Sequence, residues 1–124
     1  MANTFLNSKQ DLTTTNATTL YTCPSNARAI IKSIYVNDDS GSGSTINLVV
    51  FAGDPASAAS FTLFNAKSIS ANVTEQLITQ PLILMENEVI QVTAGNANRL
   101  NVIASILETV SYTHLRAHET TDKR

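Results

Sequence analysis

Every apolar run in this chain is short, and each is closed by a cluster of Ser, Asn, Asp, Gly or Pro. Such punctuation favours strands and turns over long helices. Ile46, Leu48 and Val50 share one parity, as do Leu100, Val102, Ala104 and Ile106, and a two-residue period puts each set on one face of a strand. The candidate strands are Thr18 to Cys23, Arg28 to Asp38, Thr45 to Ala52, Ser60 to Asn65, Val73 to Thr79, Leu82 to Met85, Glu88 to Ala94, and Leu100 to Glu108. Eight short strands without a helical period define an all-β chain, expected to be a single β-sandwich with jelly-roll-like or immunoglobulin-like connections. The expected core is completed by Ile34, Val36, Leu84, Ile90 and Val92. Lys32 has the same inward parity, which a sheet-edge position with the ammonium reaching outward would accommodate.

The connections carry turn chemistry. Asp38 to Ser44 reads as a flexible hairpin loop and Pro24-Ser25-Asn26 as a turn. Glu86-Asn87-Glu88 reads as a tight turn in which Asn87 takes a positive φ, and Gly95 to Asn98 closes the last hairpin. The opening, polar apart from Phe5, Leu6 and Leu12, is expected to be an N-terminal arm (1–17) that pairs loosely or on a partner. The β-sandwich domain then spans 18–109.

Charge and cysteine usage exclude several classes. With 8 Lys and Arg against 10 Asp and Glu, net -2, and no basic cluster, neither nucleic acid nor an anionic membrane is an expected partner. No apolar run approaches the ~20 residues of a membrane helix, and no basic stretch leads into an apolar one, so no export or insertion signal is expected. The single cysteine, Cys23, cannot form a disulfide framework within the chain. With no cation near it in sequence, it reads as a small buried thiol.

From Val110 the alternation stops. Val110 to Thr120 resembles, over eleven consecutive residues, the translation in one frame of the transposase adaptor used to prepare short-read sequencing libraries. The resemblance implies that 110–124 is a non-native tail on a metagenomic sequence, outside the fold. Both histidines, His114 and His118, lie in it, so their i, i+4 spacing carries no metal signal.

Without them, Ser-His-Asp and Cys-His arrangements are absent, and only a carboxylate with a raised pKa would serve as a base. The pairs Asp38/Asp39 and Glu86/Glu88 fall in expected turns, where solvated acids are the default, and aromatic sugar platforms are scarce. Asp38, Asp39 and Asp54 lack the ligand alternation of an EF-hand, and the Asp38 loop reads as a plain hairpin. Two Asn-X-Thr matches, at Asn16 and Asn72, are expected by chance in such a composition. No catalytic, cofactor-binding or metal residues are expected, and the chain reads as a non-enzyme.

Several segments taken in order carry a family resemblance. They are the opening Met-Ala-Asn-Thr-Phe, Thr19-Leu20-Tyr21-Thr22-Cys23-Pro24, an apolar strand Arg28 to Asn37 ending in Asn, Pro81-Leu82-Ile83-Leu84 before an acidic turn, and a last strand ending Leu107-Glu108. Together they resemble small β-sandwich virion proteins of tailed bacteriophages, many of them marine, over about the first 108 residues. Members commonly have Gly or Pro in the acidic turn, where this chain has Asn87. The resemblance implies a structural protein in the virion, on the capsid as decoration or associated with the tail, made in the host bacterial cytoplasm. The pattern describes strands and transfers no site residue. A carbohydrate-binding or adhesin-like module of a phage fibre is the alternative.

One feature of the strands points to assembly. A sandwich strand normally turns a polar face to water, yet the outward parity is also apolar at Ile31, Tyr35, Val49, Phe51, Ile83 and Met85, and again at Val89, Ile103 and Leu107. The first six are the expected interface, with identical subunits or other capsid or tail proteins as partners. Tyr35 and Phe51 are the expected anchors.

Overall fold

The structure, a computed structural model, describes residues 3–110. Its strands are β1 (Asn3–Leu12), β2 (Thr18–Thr22), β3 (Ala27–Asp38), β4 (Ser44–Phe51), β5 (Ser60–Ile69), β6 (Thr74–Ile78), β7 (Leu82–Leu84), β8 (Val89–Ala94) and β9 (Leu100–Val110). Sheet I runs β1-β9-β3-β6, with β7 also on β3, and sheet II runs β2-β8-β4-β5. All pairings are antiparallel. β7 flanks the first half of β3 and β6 the second, so these two short strands share the fourth column of sheet I.

The connections decide between the two expected topologies. From β1 to β4 each step changes sheet, only the β4–β5 and β6–β7 steps stay within one, and β7 to β9 cross again. An immunoglobulin sandwich keeps its first two strands in the same sheet. The alternation here is that of a jelly roll.

Between the sheets lies one core, to which every strand contributes. Ile34, Val36, Ile46, Leu48, Leu84, Ile90, Val92, Leu100, Val102, Ala104 and Ile106 are all buried, as their parity requires, and Val50 packs at the margin. Full burial of an aliphatic side chain is worth about 1.5 to 3 kcal/mol, so these positions hold the sheets together.

Two expectations change. The opening segment is not a loose arm. β1 pairs with β9 along all its ten residues, from Asn3 opposite Thr109 to Leu12 opposite Leu100. Leu6, Ser8, Gln10 and Leu12 share the inward parity, Leu12 is buried, and the Ser8 hydroxyl donates to the Leu20 carbonyl of β2. The edge of β9 offers backbone partners, and two leucines at even spacing suffice to orient the strand. Ile31 also moves. Between Ile31 and Ser33 the register against β9 slips by one, with Ile31 opposite Ile106 and Ser33 opposite Ser105. This bulge reverses the parity of β3. Ala29 and Ile31 therefore point inward together with Ile34 and Val36, and Ile31 is fully buried. Lys32 is the extra residue and projects to solvent, so no ammonium has to reach out of the core.

The turns behave as their residues dictate. Asn26, Asn72, Asn87 and Asn98 all have positive φ, the left-handed region that Asn tolerates better than other residues with a Cβ. A chain with only 4 glycines makes its tight turns this way. Gly43 needs glycine: its φ is 75° and a Cβ would stand 3.1 Å from the Ile69 carbonyl oxygen.

The last strand continues to Val110, opposite Ala27, one residue beyond the expected boundary. Residues 111–124, which contain the rest of the adaptor-like segment, lie outside the described residues.

Candidate assembly surface

The outer face of sheet I is built from registered rows. Residues directly opposite on antiparallel strands project to the same side, and Phe5 on β1 faces Leu107 on β9, which faces Ile30 on β3, which faces Ile83 on β7. Four strands thus contribute one continuous apolar row. Its ends are the most open, with Phe5 75% and Ile83 60% exposed, and Met85, just past the end of β7, stands in the next row, level with Arg28. Two residues along β1 and β9, and three along β3 because of the bulge, lies the polar row Asn7, Ser105, Ser33, and two further lies Lys9, Ile103, Tyr35, Gln76. Ile103 and Tyr35 are each 39% exposed.

Polar rows close the face at both ends. At one end the Thr109 hydroxyl donates to Asn3 Oδ1 at 3.1 Å. At the other Thr74 donates to Asn37 Oδ1 at 3.0 Å and Asn101 Nδ2 to Asp39 Oδ2 at 3.1 Å. Inside these rims two rows bearing apolar residues flank the polar row of Asn7, Ser105 and Ser33, and apolar patches bounded by polar rims are typical of protein interfaces. Around Lys32, a shallow open depression of about 280 Å³ is lined by Phe5, Asn7 and Ser105.

Charge is distributed unevenly as well. Among the described residues Lys67 pairs with Glu75 at 3.4 Å and Arg99 Nη1 donates to the Gly43 carbonyl at 3.0 Å. The other cations, Lys9, Arg28 and Lys32, all stand on the outer face of sheet I.

The six expected interface residues divide three ways. Tyr35, Ile83 and Met85 lie on this face. Val49 and Phe51 lie on the outer face of sheet II, half-buried, beside Gln91 and Val89. Ile31 belongs to the core. Phe5 and Ile30 were missed: Phe5 sat in a segment read as an arm, and Ile30 changes face only because of the bulge at Lys32.

The remaining polar groups are structural. Tyr21 is buried on β2, and its hydroxyl donates across the sandwich to Glu108 Oε2 on β9. Burial, then this hydrogen bond, pushes the tyrosine hydroxyl well above its ordinary pKa. The contact joins residues 87 positions apart in the chain. Cys23 is fully buried with its sulfur 3.5 Å from the Ala27 carbonyl oxygen. Burial, with Glu108, Glu88 and Glu86 adding to it, raises the thiol above its usual range, so the thiolate needed for reactivity is disfavoured.

The two acidic pairs also serve the fold. Asp38 is buried at the end of β3 and accepts from the Ser40 hydroxyl at 2.7 Å, the Ser40 amide at 2.8 Å and the Gly43 amide. The hydrogen bond from Ser40 is the main reason its carboxyl is held below the usual range. The loop expected to be a flexible hairpin is thus tied down by its first acid. Glu88 Oε1 accepts from the Met85 amide at 2.9 Å and closes its own turn. Among the described residues no three His, Cys, Asp or Glu side chains gather as a metal site would require.

No family model matches this chain, and no curated protein does. Solved structures resemble it to differing degrees. A chain of the Bacillus endospore appendages, described as a novel family of disulfide-linked pili, superposes with a TM-score of 0.55 at 11% identity, over 89% of this chain and 88% of the other. The infectious bursal disease virus Gx strain gives 0.48 at 12% identity, over 90% of this chain and 31% of the viral one. A pentameric capsid protein isolated from metagenomic phage sequences gives 0.45 at 15% identity, over 88% and 63%. At 11% identity the pilus likeness is one of fold, and it agrees with the two-sheet topology described above.

Proposed function

We propose that this chain is a non-enzymatic structural subunit of a bacteriophage virion, decorating the capsid or associated with the tail, and that it assembles through the outer face of sheet I. The apolar row Phe5, Leu107, Ile30, Ile83 carries this reading. Contiguous apolar patches are uncommon on soluble monomers and mark interaction sites. A fold by itself does not assign a function, but double-sheet jelly rolls are a recurrent architecture of viral capsid domains, and the sequence pattern resembles virion proteins. The hydrogen-bonded acids at Asp38 and Glu88 support a structural role over a catalytic one.

The test is assembly. Light scattering of the purified chain, alone and mixed with capsid and tail proteins encoded beside it, should show self-association or capture. Tyr35→Asp should abolish it while leaving circular dichroism unchanged. A chain that stays monomeric at high micromolar concentration and captures neither protein overturns the reading. Specific retention on a glycan array, unaffected by Tyr35→Asp, would favour the adhesin alternative.

A further inference from the structure

Resting on that reading, we infer that the occupant of the outer face of sheet I is a second copy of the same face, related by a two-fold axis along the seam between β9 and β3. The rows carry the inference, because they match themselves under this operation. With β9 at the seam on one side and β3 on the other, the rotation lays β9 of one copy over β3 of the next, and β1 over the β6/β7 column. Phe5 then meets Ile83 of the second copy, and Leu107 meets Ile30. In the second row Ile103 meets Tyr35, and Lys9 meets the neutral Gln76. At the first rim Arg28 meets Thr109. No row sets like charges opposite each other.

The other in-plane two-fold, running across the strands, fails this comparison. It lays each strand over its own copy with the rows reversed, so Phe5 would meet Lys9 and a charge would be set against the apolar row at a desolvation cost. Lys32, near the middle of the face, would come close to its own copy. An isologous contact needs a self-complementary patch, and only the axis along the seam makes this one so.

Size agrees with the geometry. Four columns about 4.8 Å apart and ten residues at about 3.4 Å each give a face of about 650 Å² in projection. Corrugation by side chains enlarges it toward the roughly 800 Å² per partner of a standard interface. Two sheets packed face to face keep their strands within about 30° of each other, which an axis near the strand direction satisfies.

Pairwise cross-linking tests the arrangement. Phe5→Cys and Ile83→Cys are made in separate chains, both at exposed positions, while Cys23 remains in place because it is buried. Phe5 and Ile83 of one chain stand three columns apart, about 14 Å, so neither variant is expected to join to its own kind. Mild oxidation should give a covalent dimer when the two variants are mixed and none when either is alone. The mixture of Phe5→Cys with Lys9→Cys should stay uncross-linked. A dimer from Phe5→Cys with Lys9→Cys, or from Phe5→Cys alone, overturns the axis. No dimer in the Phe5/Ile83 mixture, from chains that still associate by light scattering, overturns the axis and leaves the assembly role standing. A monomeric wild-type chain that captures capsid or tail proteins overturns the self-pairing alone, and one that captures nothing overturns both.

Discussion

The two sheets are nearly equal inside and unlike outside. Ile46, Leu48, Ile90 and Val92 line sheet II as densely as Ile34, Val36, Val102 and Ile106 line sheet I. Outside, sheet II shows the rows Thr19, Gln91, Val49, Thr62 and Thr22, Val89, Phe51, Ser60, largely polar and without charge. Sheet I shows four apolar residues in one row and three cations around them. A sheet that faces water needs apolar residues on one side only. The central strands of sheet I carry Leu107, Ile103, Ile30 and Tyr35 on the outer side as well, whereas those of sheet II carry Val49, Phe51 and Val89 there among Thr, Gln and Ser.

If the sheets are equivalent inside, Leu48→Ala in sheet II and Ile106→Ala in sheet I should each cost about 2 to 5 kcal/mol in urea titration. A loss under about 1 kcal/mol in either would break the equivalence. The contact between the sheets comes next. Tyr21→Phe leaves Glu108 without its donor and should cost about 1 to 3 kcal/mol. Because the tyrosine pKa is raised in the folded state, its contribution is present below the ordinary value of about 10 and is lost as pH rises beyond it. The variant's stability should therefore fall less between neutral and strongly alkaline pH than the wild type's.

The crossing from sheet I to sheet II is held at Asp38. Its carboxyl is lowered in the folded state, so its contribution is present above the unfolded value of about 3.9 and is lost as pH falls through the folded one. Asp38→Asn should be less stable than wild type at neutral pH, and the gap should narrow in acid, as followed by thermal melts from pH 7 to pH 2. On the outer faces the stability effects shrink to within about 0.5 kcal/mol per exposed substitution, and the readout becomes assembly. Ile83→Asp on sheet I should shift the molecule toward monomer in light scattering, whereas Thr62→Asp on sheet II should not. Equal effects would erase the distinction between the faces.

A last effect concerns how each sheet bends. The bulge of sheet I sits at Lys32, while in sheet II two residues of β5, Asn65 and Ala66, oppose Asn47 alone. Ala66 has a φ of 55° and its amide donates to Asn47 Oδ1 at 2.6 Å. A left-handed conformation costs an L-residue about 1 to 2 kcal/mol and glycine's added chain entropy returns about 0.5 to 1. Ala66→Gly should thus stabilise by at most about 1.5 kcal/mol, measured by urea midpoint.

Much of the core was legible in the sequence, because β4 and β9 keep strict alternation from end to end. Ile46, Leu48, Val102 and Ile106 are inside for a reason local to their own strands. The positive φ of Asn87 was equally legible, since it follows from the turn alone. The outer apolar face was legible only in part. Alternation places Tyr35, Ile83 and Met85 outward, where they stand, but it also places Ile31 outward, which is buried, and it does not bring Phe5 and Ile30 onto that face.

The chain by itself determined the all-β class, the two-sided character of its central strands and the places where it turns. Only the tertiary structure decided that β1 is a sheet edge, that the bulge at Lys32 inverts β3, and that Phe5, Leu107, Ile30 and Ile83 stand in one row while Val49 and Phe51 face the opposite way. The physical reason is range. The two-residue period and turn preferences act between neighbours in sequence, whereas register is set by backbone hydrogen bonds and side-chain packing between strands far apart in the chain, as from Phe5 to Leu107.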